Sequence, residues 1–265
     1  MDFFISLVAL MFLAGFFFQR KYRNATSVDL LWCASILLLT VGHLYQRLGG
    51  WLPSGEGLGL YWRPLLMVSL VCFWSLRLGS LILLRLIRYK GEDSRYRFYR
   101  ERWGNKADYY FALLYCFNFL SAVILAWGMA FSFERLEFYW TDSVGLLVFC
   151  IGLFGVWLSD KQFSDFKKQP GSKQRVMDQG LWRYSRHPNY FFEWVLWCSY
   201  PFFAYGSEGF WLSFIVPLLM WILLTRVTGI PPSEGQSLRS RAEAYRAYQR
   251  ETSSFFPWRP RKDLT

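Results

Sequence analysis

Histidine is almost missing from this chain: His43 and His187 are the whole supply, too few for a His-rich metal centre. Charge is scarce too, at 18% of residues against roughly 25% in a typical soluble domain. Cysteine pairs are lacking. Cys33, Cys72, Cys116, Cys150 and Cys198 form no CxxC motif and all fall in apolar runs, where a thiol packs as a small hydrophobe. That leaves no disulfide framework and no metal site. There is no internal repeat and no low-complexity segment, which removes collagen, disorder, coiled coil and a transporter built of inverted repeats. No nucleic-acid-binding signature overlaps the basic residues. The first apolar run has no small-residue cleavage site, so it reads as an anchor and not as a removable signal.

What is present is apolar mass. Hydrophobic residues make up 54% of 265, aromatics 21%, with 14 Trp and 26 Phe. One soluble core cannot hide that inventory under a polar surface. The expected fold is therefore all-α, a polytopic membrane bundle. A membrane helix needs roughly 17–25 mostly apolar residues. Seven segments approach that length: Phe3–Phe18, Val28–Gln46, Tyr61–Leu84, Tyr109–Phe133, Ser143–Ser159, Glu193–Tyr205 and Gly209–Thr225. The sixth is short, and its helix can begin in the polar segment before it.

The charges orient this bundle. The net charge is +11, and 26 of the 30 basic residues lie in four segments: 20–23, 85–106, 161–186 and 226–262. Every second loop holds them. By the positive-inside rule the N-terminus is outside and the C-terminal tail cytoplasmic. Topology and anionic lipid headgroups account for the basic balance without a nucleic-acid partner.

Three polar segments stand out. Gly91-Glu92-Asp93-Ser94-Arg95-Tyr96-Arg97 is either a solvated helix end with local ion pairs or the floor of a site at the membrane–cytosol boundary. Asp160 to Lys168 can continue the fifth span beyond the bilayer, with Asp160 and Lys167 two turns apart on one side. Gly180 then breaks the chain, and Pro188 disfavours helix for His187. Arg183 and Arg186 thus sit in turn backbone just before a membrane helix that carries Asn189, Tyr190 and Glu193. Arginine forks suit phosphate or carboxylate. Asn189 and Glu193, spaced i, i+4, offer donors and acceptors for an amide or a ribose. That set suits a nucleotide-like cofactor. An ionisable Glu193 at the head of an apolar helix is costly unless it faces a polar cavity; interfacial snorkelling or a local ion pair is the other reading. In the tail, Ile230-Pro231-Pro232 breaks the seventh helix, Ser233 is the expected N-cap, and Ser237–Arg250 reads as a charged helix with Tyr245 and Tyr248 on one face. Phe255-Phe256-Pro257-Trp258 follows as an apolar clamp. The tail either folds back over the cytoplasmic mouth or lies as an interfacial anchor.

The block Gly180-Leu181-Trp182-Arg183-Tyr184-Ser185-Arg186-His187-Pro188-Asn189-Tyr190, with Glu193 and the Tyr245/Tyr248/Thr252/Phe256-Pro257-Trp258 ending, resembles the DUF1295 family, related to the steroid 5-alpha-reductase C-terminal domain. Arg23-Asn24, Val28-Asp29, Trp32, Trp74-Ser75-Leu76-Arg77-Leu78-Gly79, Gly91-Glu92-Asp93, Arg95-Tyr96 and Trp103-Gly104 extend the resemblance over nearly the whole chain. The wider superfamily also takes in sterol reductases and isoprenylcysteine carboxyl methyltransferases. The resemblance implies one integral membrane domain over 1–265, about seven helices, with a four-helix substrate-side half (1–133) and a cofactor-binding half (141–265). It implies NADPH and hydride delivery to a carbon–carbon double bond conjugated to a carbonyl. By position, Asp160, Lys167, Asn189, Glu193 and Tyr248 match cofactor residues of the steroid reductases. Arg183, Tyr184, Arg186, His187, Tyr190 and Tyr245 follow the wider pattern.

The departures bear on the chemistry. Trp74 stands where the steroid reductases carry a proton-donating Tyr three residues before the Arg of the third helix. Asp29, Arg77 and Tyr96 become the acid candidates, although Asp29 and Arg77 can also simply pair. Phe192 replaces a Gly before Glu193, and Pro232-Ser233 replaces Leu-Leu before Glu234. The expectation is an NADPH-dependent reductase of a lipid-soluble substrate, in a bacterial inner membrane or, in a eukaryote, the endoplasmic reticulum. Two other readings compete: an S-adenosylmethionine-dependent methyltransferase using the same pocket, and a non-catalytic lipid-binding or scaffold protein.

Overall fold

The structure is a computed structural model that describes residues 1–48, 61–88, 91–172 and 174–261. Lys90, Lys173 and Lys262, counted above among the basic residues, lie outside them. Every regular element among the described residues is helical. The order is α1 (Asp2–Tyr22), α2 (Ser27–Arg47), α3 (Trp62–Arg88), α4 (Ser94–Trp103), α5 (Ala107–Ala130), α6 (Trp140–Lys167), α7 (Pro188–Trp197), α8 (Tyr200–Ala204), α9 (Ile215–Ile222), α10 (Ile230–Ser240) and α11 (Ala242–Glu251). Short 3₁₀ turns cover Gly104–Lys106, Phe131–Phe133, Gly180–Arg183 and Phe210–Phe214. Leu223–Val227 forms a π turn.

Six helical stretches among the described residues are long and apolar enough to cross a membrane: Asp2–Tyr22, Ser27–Arg47, Trp62–Leu84, Arg95–Phe133, Trp140–Lys167 and Phe210–Ser240. The chain is an integral membrane protein. The segment expected as the sixth span is two short helices, α7 and α8, parted at Cys198–Ser199. At about 1.5 Å per residue, ten residues of α7 reach only about 15 Å, half the hydrocarbon thickness. α6, with 28 residues, reaches about 42 Å. It is longer than the apolar layer is thick, and it runs on unbroken from Asp160 to Lys167, the continuation the sequence suggested.

The tail corrects two expectations. Pro231 and Pro232 do not lie in a break; they occupy the first turn of α10, behind Gly229. A proline there gives up an N–H that has no helical partner anyway. Ser233 is thus inside the helix and not its cap. The break falls one turn earlier, after the π turn, where Thr228 N donates to Leu223 O at 2.8 Å. The charged helix is also interrupted, at Arg241, into α10 and α11.

The chain divides into two compact units: Met1–Tyr139 with Ala204–Val216, and Trp140–Phe203 with Pro217–Thr265. In unit 1, α1 leaves Phe3, Leu10, Leu13 and Phe17 exposed, as a lipid-facing helix does, while Val8 and Phe12 are buried against Val28, Leu39, Phe111 and Tyr115. Arg63 is fully buried and donates to Ser132 O (2.8 Å) and Arg135 O (2.6 Å). Trp32 Nε1 donates to Ser121 Oγ at 3.0 Å, and the Trp32 and Trp74 rings meet edge-on. In unit 2, glycines bring α6 and α7 together. A Cβ on Gly152 would lie 2.5 Å from Leu196 N, and one on Gly155 would lie 2.2 Å from the Phe192 ring. Gly155 is the notch that takes the bulk of Phe192, the residue that stands in place of a Gly before Glu193.

Candidate functional site

In unit 2 the polar residues gather where α6, α7, α10 and α11 end or begin. Gly180 opens this region. Its φ of +60° favours glycine, and a side chain there would run into Gln162, whose Oε1 accepts from Leu181 N at 3.0 Å. The following 3₁₀ turn drops Trp182 onto α6. Its ring stacks on Phe163 (4.9 Å) and its Nε1 donates to Ser159 O. His187 is outside the helical region, with φ −139° and ψ 59°, and Pro188 opens α7. The local proline reading therefore holds.

The tail docks onto this loop. Arg186 N donates to Ser253 O (2.8 Å) and Trp258 N to Tyr184 O (2.9 Å), so two backbone hydrogen bonds tie the tail to the loop. Ser185 Oγ donates to Phe255 O (2.8 Å), and Tyr248 donates to Trp182 O. Phe255 and Phe256 pack edge-on against Phe191 and Trp194 of α7, forming the apolar clamp. Trp258 points away from it and is exposed.

At the centre lies Glu234, from α10. Its Oε1 accepts from Arg186 Nε at 2.7 Å and from Tyr245 OH at 3.4 Å, and His187 Nε2 lies 3.4 Å away. Its Oε2 accepts from Gln249 Nε2 at 2.8 Å. Arg186 Nη1 also donates to Gln249 O and Thr252 O. Burial alone would raise the Glu234 carboxyl; hydrogen bonds from His187 and Arg186, with the guanidinium charge, outweigh it and hold the group at about 2. Burial pushes His187 below its ordinary range, against the pull of Glu234. Burial likewise raises the Tyr245 phenol, helped by the Glu234 charge.

The other expected residues fall as follows. Asn189 and Glu193 lie one turn apart on α7. Glu193 is 8% exposed and accepts from Trp197 Nε1 at 3.2 Å. Asn189 Oδ1 is buried and has no hydrogen-bond partner. Tyr190 stacks flat on His187 (5.3 Å, 8°). Asp160 is half-buried on α6. Lys167, at its end, is exposed, its ammonium 4.3 Å from the Phe163 ring. Arg183 and Tyr184 are exposed. Tyr245 and Tyr248 are both buried, with ring centroids 5.9 Å apart. Glu234 and Gln249 carry much of this geometry, and neither was singled out from the sequence. A lone carboxylate following Pro231-Pro232 was the available signal.

In unit 1, Asp29 does not take Arg77 as its partner. Arg95 Nη2 donates to Asp29 Oδ2 at 2.7 Å and Tyr96 OH to Oδ1 at 2.6 Å. Asp93 caps α4 by accepting from Arg95 N (2.9 Å), and Glu92 accepts from Ala25 N and from Arg100. The Gly91–Arg97 segment carries the local ion pairs expected of a helix end, Asp93 with Arg95 and Glu92 with Arg100, and it is also bonded into the α1–α2 turn through Ala25 and Thr26. Arg77 is half-buried on α3. Among the described residues, no group of three His, Cys, Asp or Glu side chains is placed to hold a metal ion.

The family model described as "Protein of unknown function (DUF1295)" matches residues 15–252. No curated protein and no solved structure matches the chain.

Proposed function

The chain belongs to the DUF1295 family, and from that premise we propose that it is an NADPH-dependent membrane oxidoreductase reducing a carbon–carbon double bond conjugated to a carbonyl in a lipid-soluble substrate. One observation carries the cofactor: the buried, unpartnered Asn189 Oδ1, one turn from the buried carboxylate of Glu193. A buried acceptor without a donor costs about 1–3 kcal/mol. An unpartnered acceptor one turn from a carboxylate on the same helix suits a ligand that brings N–H or O–H groups, such as a carboxamide or a ribose. A nicotinamide nucleotide fits that demand, and when bound it supplies the hydride. Lys167 and Arg183, both exposed, are the cations for its phosphates. Arg186 is engaged with Glu234 and the tail carbonyls, so its role in this reading is to position the tail. Tyr245, Tyr248 and His187 hold that tail in place. Asp29, Tyr96 and Arg77 stay the candidates for the acid, the first two already joined by a hydrogen bond.

The same reading crosses the membrane seven times, with the N-terminus outside. The basic segments 161–186 and 226–262 belong on one side. The chain between them must then cross twice, and the broken pair α7–α8 is the first of those crossings. The inner membrane of a bacterium is the setting the resemblance implies.

The test is equilibrium binding on detergent-purified protein, with NADPH, NADH and S-adenosylmethionine in parallel and Glu193→Gln and Asn189→Ala as controls. NADPH should bind, and each variant should weaken it by about tenfold or more, the loss of one buried charged or amide hydrogen bond. Preference for S-adenosylmethionine replaces the reductase with a methyltransferase in the same pocket. Binding of none of the three leaves a lipid-binding or scaffold protein.

A further inference from the structure

Unit 1 holds a second set of buried polar atoms that no partner satisfies. Gln19 Nε2 (α1), Ser27 Oγ (the first residue of α2), Arg100 Nη1 (α4) and Tyr115 OH (α5) are all buried without a hydrogen-bond partner. Gln19 is fully buried and Tyr115 is 3% exposed. They come from four helices and lie together. Arg100 Nη2 donates to Gln19 Oε1 at 3.1 Å, and the Arg100 guanidinium lies 4.4 Å from the ring of Phe111, one turn before Tyr115 on α5. The Tyr115 and Ser27 hydroxyls lie close enough to interact, though short of hydrogen-bond geometry, and the phenol is within electrostatic reach of Arg100 and Glu92. Its ring packs edge-on against Phe12 and Phe16 of α1, one turn ahead of Gln19.

The chemistry of the set limits its ligand. Gln19 Nε2 and Arg100 Nη1 can only donate; the Ser27 and Tyr115 hydroxyls can donate or accept. The set therefore calls for an oxygen that accepts. The charge around it argues against an anion: Arg95 and Arg100 are matched by Asp29, Asp93 and Glu92, leaving no positive excess. A neutral oxygen remains. Internal water requires two to four polar partners, and four are present. A carbonyl or ester oxygen of a lipid-soluble molecule, lying against Phe12, Phe16 and Phe111, meets the same donors.

We propose that unit 1 carries a binding site for a neutral hydrogen-bond-accepting oxygen, held by Gln19, Ser27, Arg100 and Tyr115. The site stands whatever cofactor unit 2 takes. Its occupant is either an ordered water or the carbonyl oxygen of a lipid.

The experiment compares Tyr115→Phe and Ser27→Ala with the unmodified chain, by thermal unfolding and native mass spectrometry of the full protein in detergent. Each variant removes one hydroxyl and almost no volume. If the hydroxyls bind an oxygen, each loss lowers the apparent melting temperature by roughly 3–8 °C. A co-purified lipid mass that disappears in the variants identifies a carbonyl occupant; the same destabilisation without any lipid mass identifies water only if the density map described next shows an oxygen there, and otherwise reports a direct Ser27–Tyr115 contact and overturns the site. If instead the atoms are empty orphans, deleting them relieves a burial cost, and the melting temperature stays or rises. That result overturns the proposal. A density map of the unmodified chain gives a reading that needs no variant to fold. It should show non-protein density within hydrogen-bond reach of at least three of the four atoms, and empty space there equally overturns the site.

Discussion

Arg186 and Glu234 stand 48 positions apart in the chain and join three elements. The Arg186 and Glu234 side chains are 11% and 16% exposed, and the Nε–Oε1 distance is 2.7 Å. Arg186→Ala removes that bond and the two donated to Gln249 O and Thr252 O. It also leaves the Glu234 carboxylate buried without its cation. Breaking such a pair costs about 3–5 kcal/mol, against at most about 1 kcal/mol for an exposed pair. In melting temperature that is roughly 6–15 °C for a chain of this size. The measurement is thermal unfolding in detergent for Arg186→Ala, Glu234→Gln and the double variant, with trypsin cleavage of the tail as a second readout. The double variant should be less destabilised than the sum of the singles by about 1–3 kcal/mol, since both singles remove the same interaction. Cleavage within α10 and α11 should accelerate in the singles. Additive effects, or an Arg186→Ala change below about 1 kcal/mol, would refute the reasoning, because an exposed surface pair behaves that way.

Two further outcomes follow from the same unit. At Gly155 an added methyl first meets the movable Phe192 ring, whereas at Gly152 it first meets the backbone of Leu196. Gly155→Ala should therefore cost about 1–3 kcal/mol and be rescued by Phe192→Ala, while Gly152→Ala should cost as much and not be rescued. Thermal unfolding of the four chains decides it; rescue of both would show that the helices simply slide apart. The pH dependence has a defined sign. His187 is held below its ordinary 6.5, so below that pH the unfolded chain takes up a proton that the folded chain refuses. Glu234 is held below its ordinary 4.5, so its contribution is present above 4.5 and is lost as pH falls toward 2. Stability should be flat above about pH 7, decline below 6.5 and decline more steeply below 4.5. Replacing His187 with Asn should flatten the upper limb alone, and an unchanged limb there would remove His187 from the account.

The apolar runs made most helices legible, because burying a backbone in lipid leaves helix as the available answer. The local rules held where one residue decides the geometry: Pro188 kept His187 out of helix, and Gly180 turned the chain. They failed where two rules compete. Pro231-Pro232 signals both the end of one helix and the start of another, and only the register of Gly229 chooses between them. The segment expected as the sixth span was legible as apolar, and its break had a signal that was passed over: Pro201 cannot donate back to Trp197 O, and it sits in the first turn of α8.

Partner choice is the part that sequence concealed. Asp29 had two arginines within plausible reach, Arg77 and Arg95, and the selection falls to α4, whose start is fixed by Asp93 and whose turn toward α2 is fixed by Glu92 on Ala25 N. The choice thus depends on contacts 67 positions apart, which no local pattern encodes. Arg186 repeats the case. Its neighbours in sequence read as a phosphate fork, yet the fork closes on a carboxylate from the tail. A cationic motif beside a candidate cofactor site can therefore serve the site by ordering the segment that covers it. The two roles separate experimentally, because a phosphate ligand changes cofactor affinity at constant tail protection, while a tail anchor changes both together.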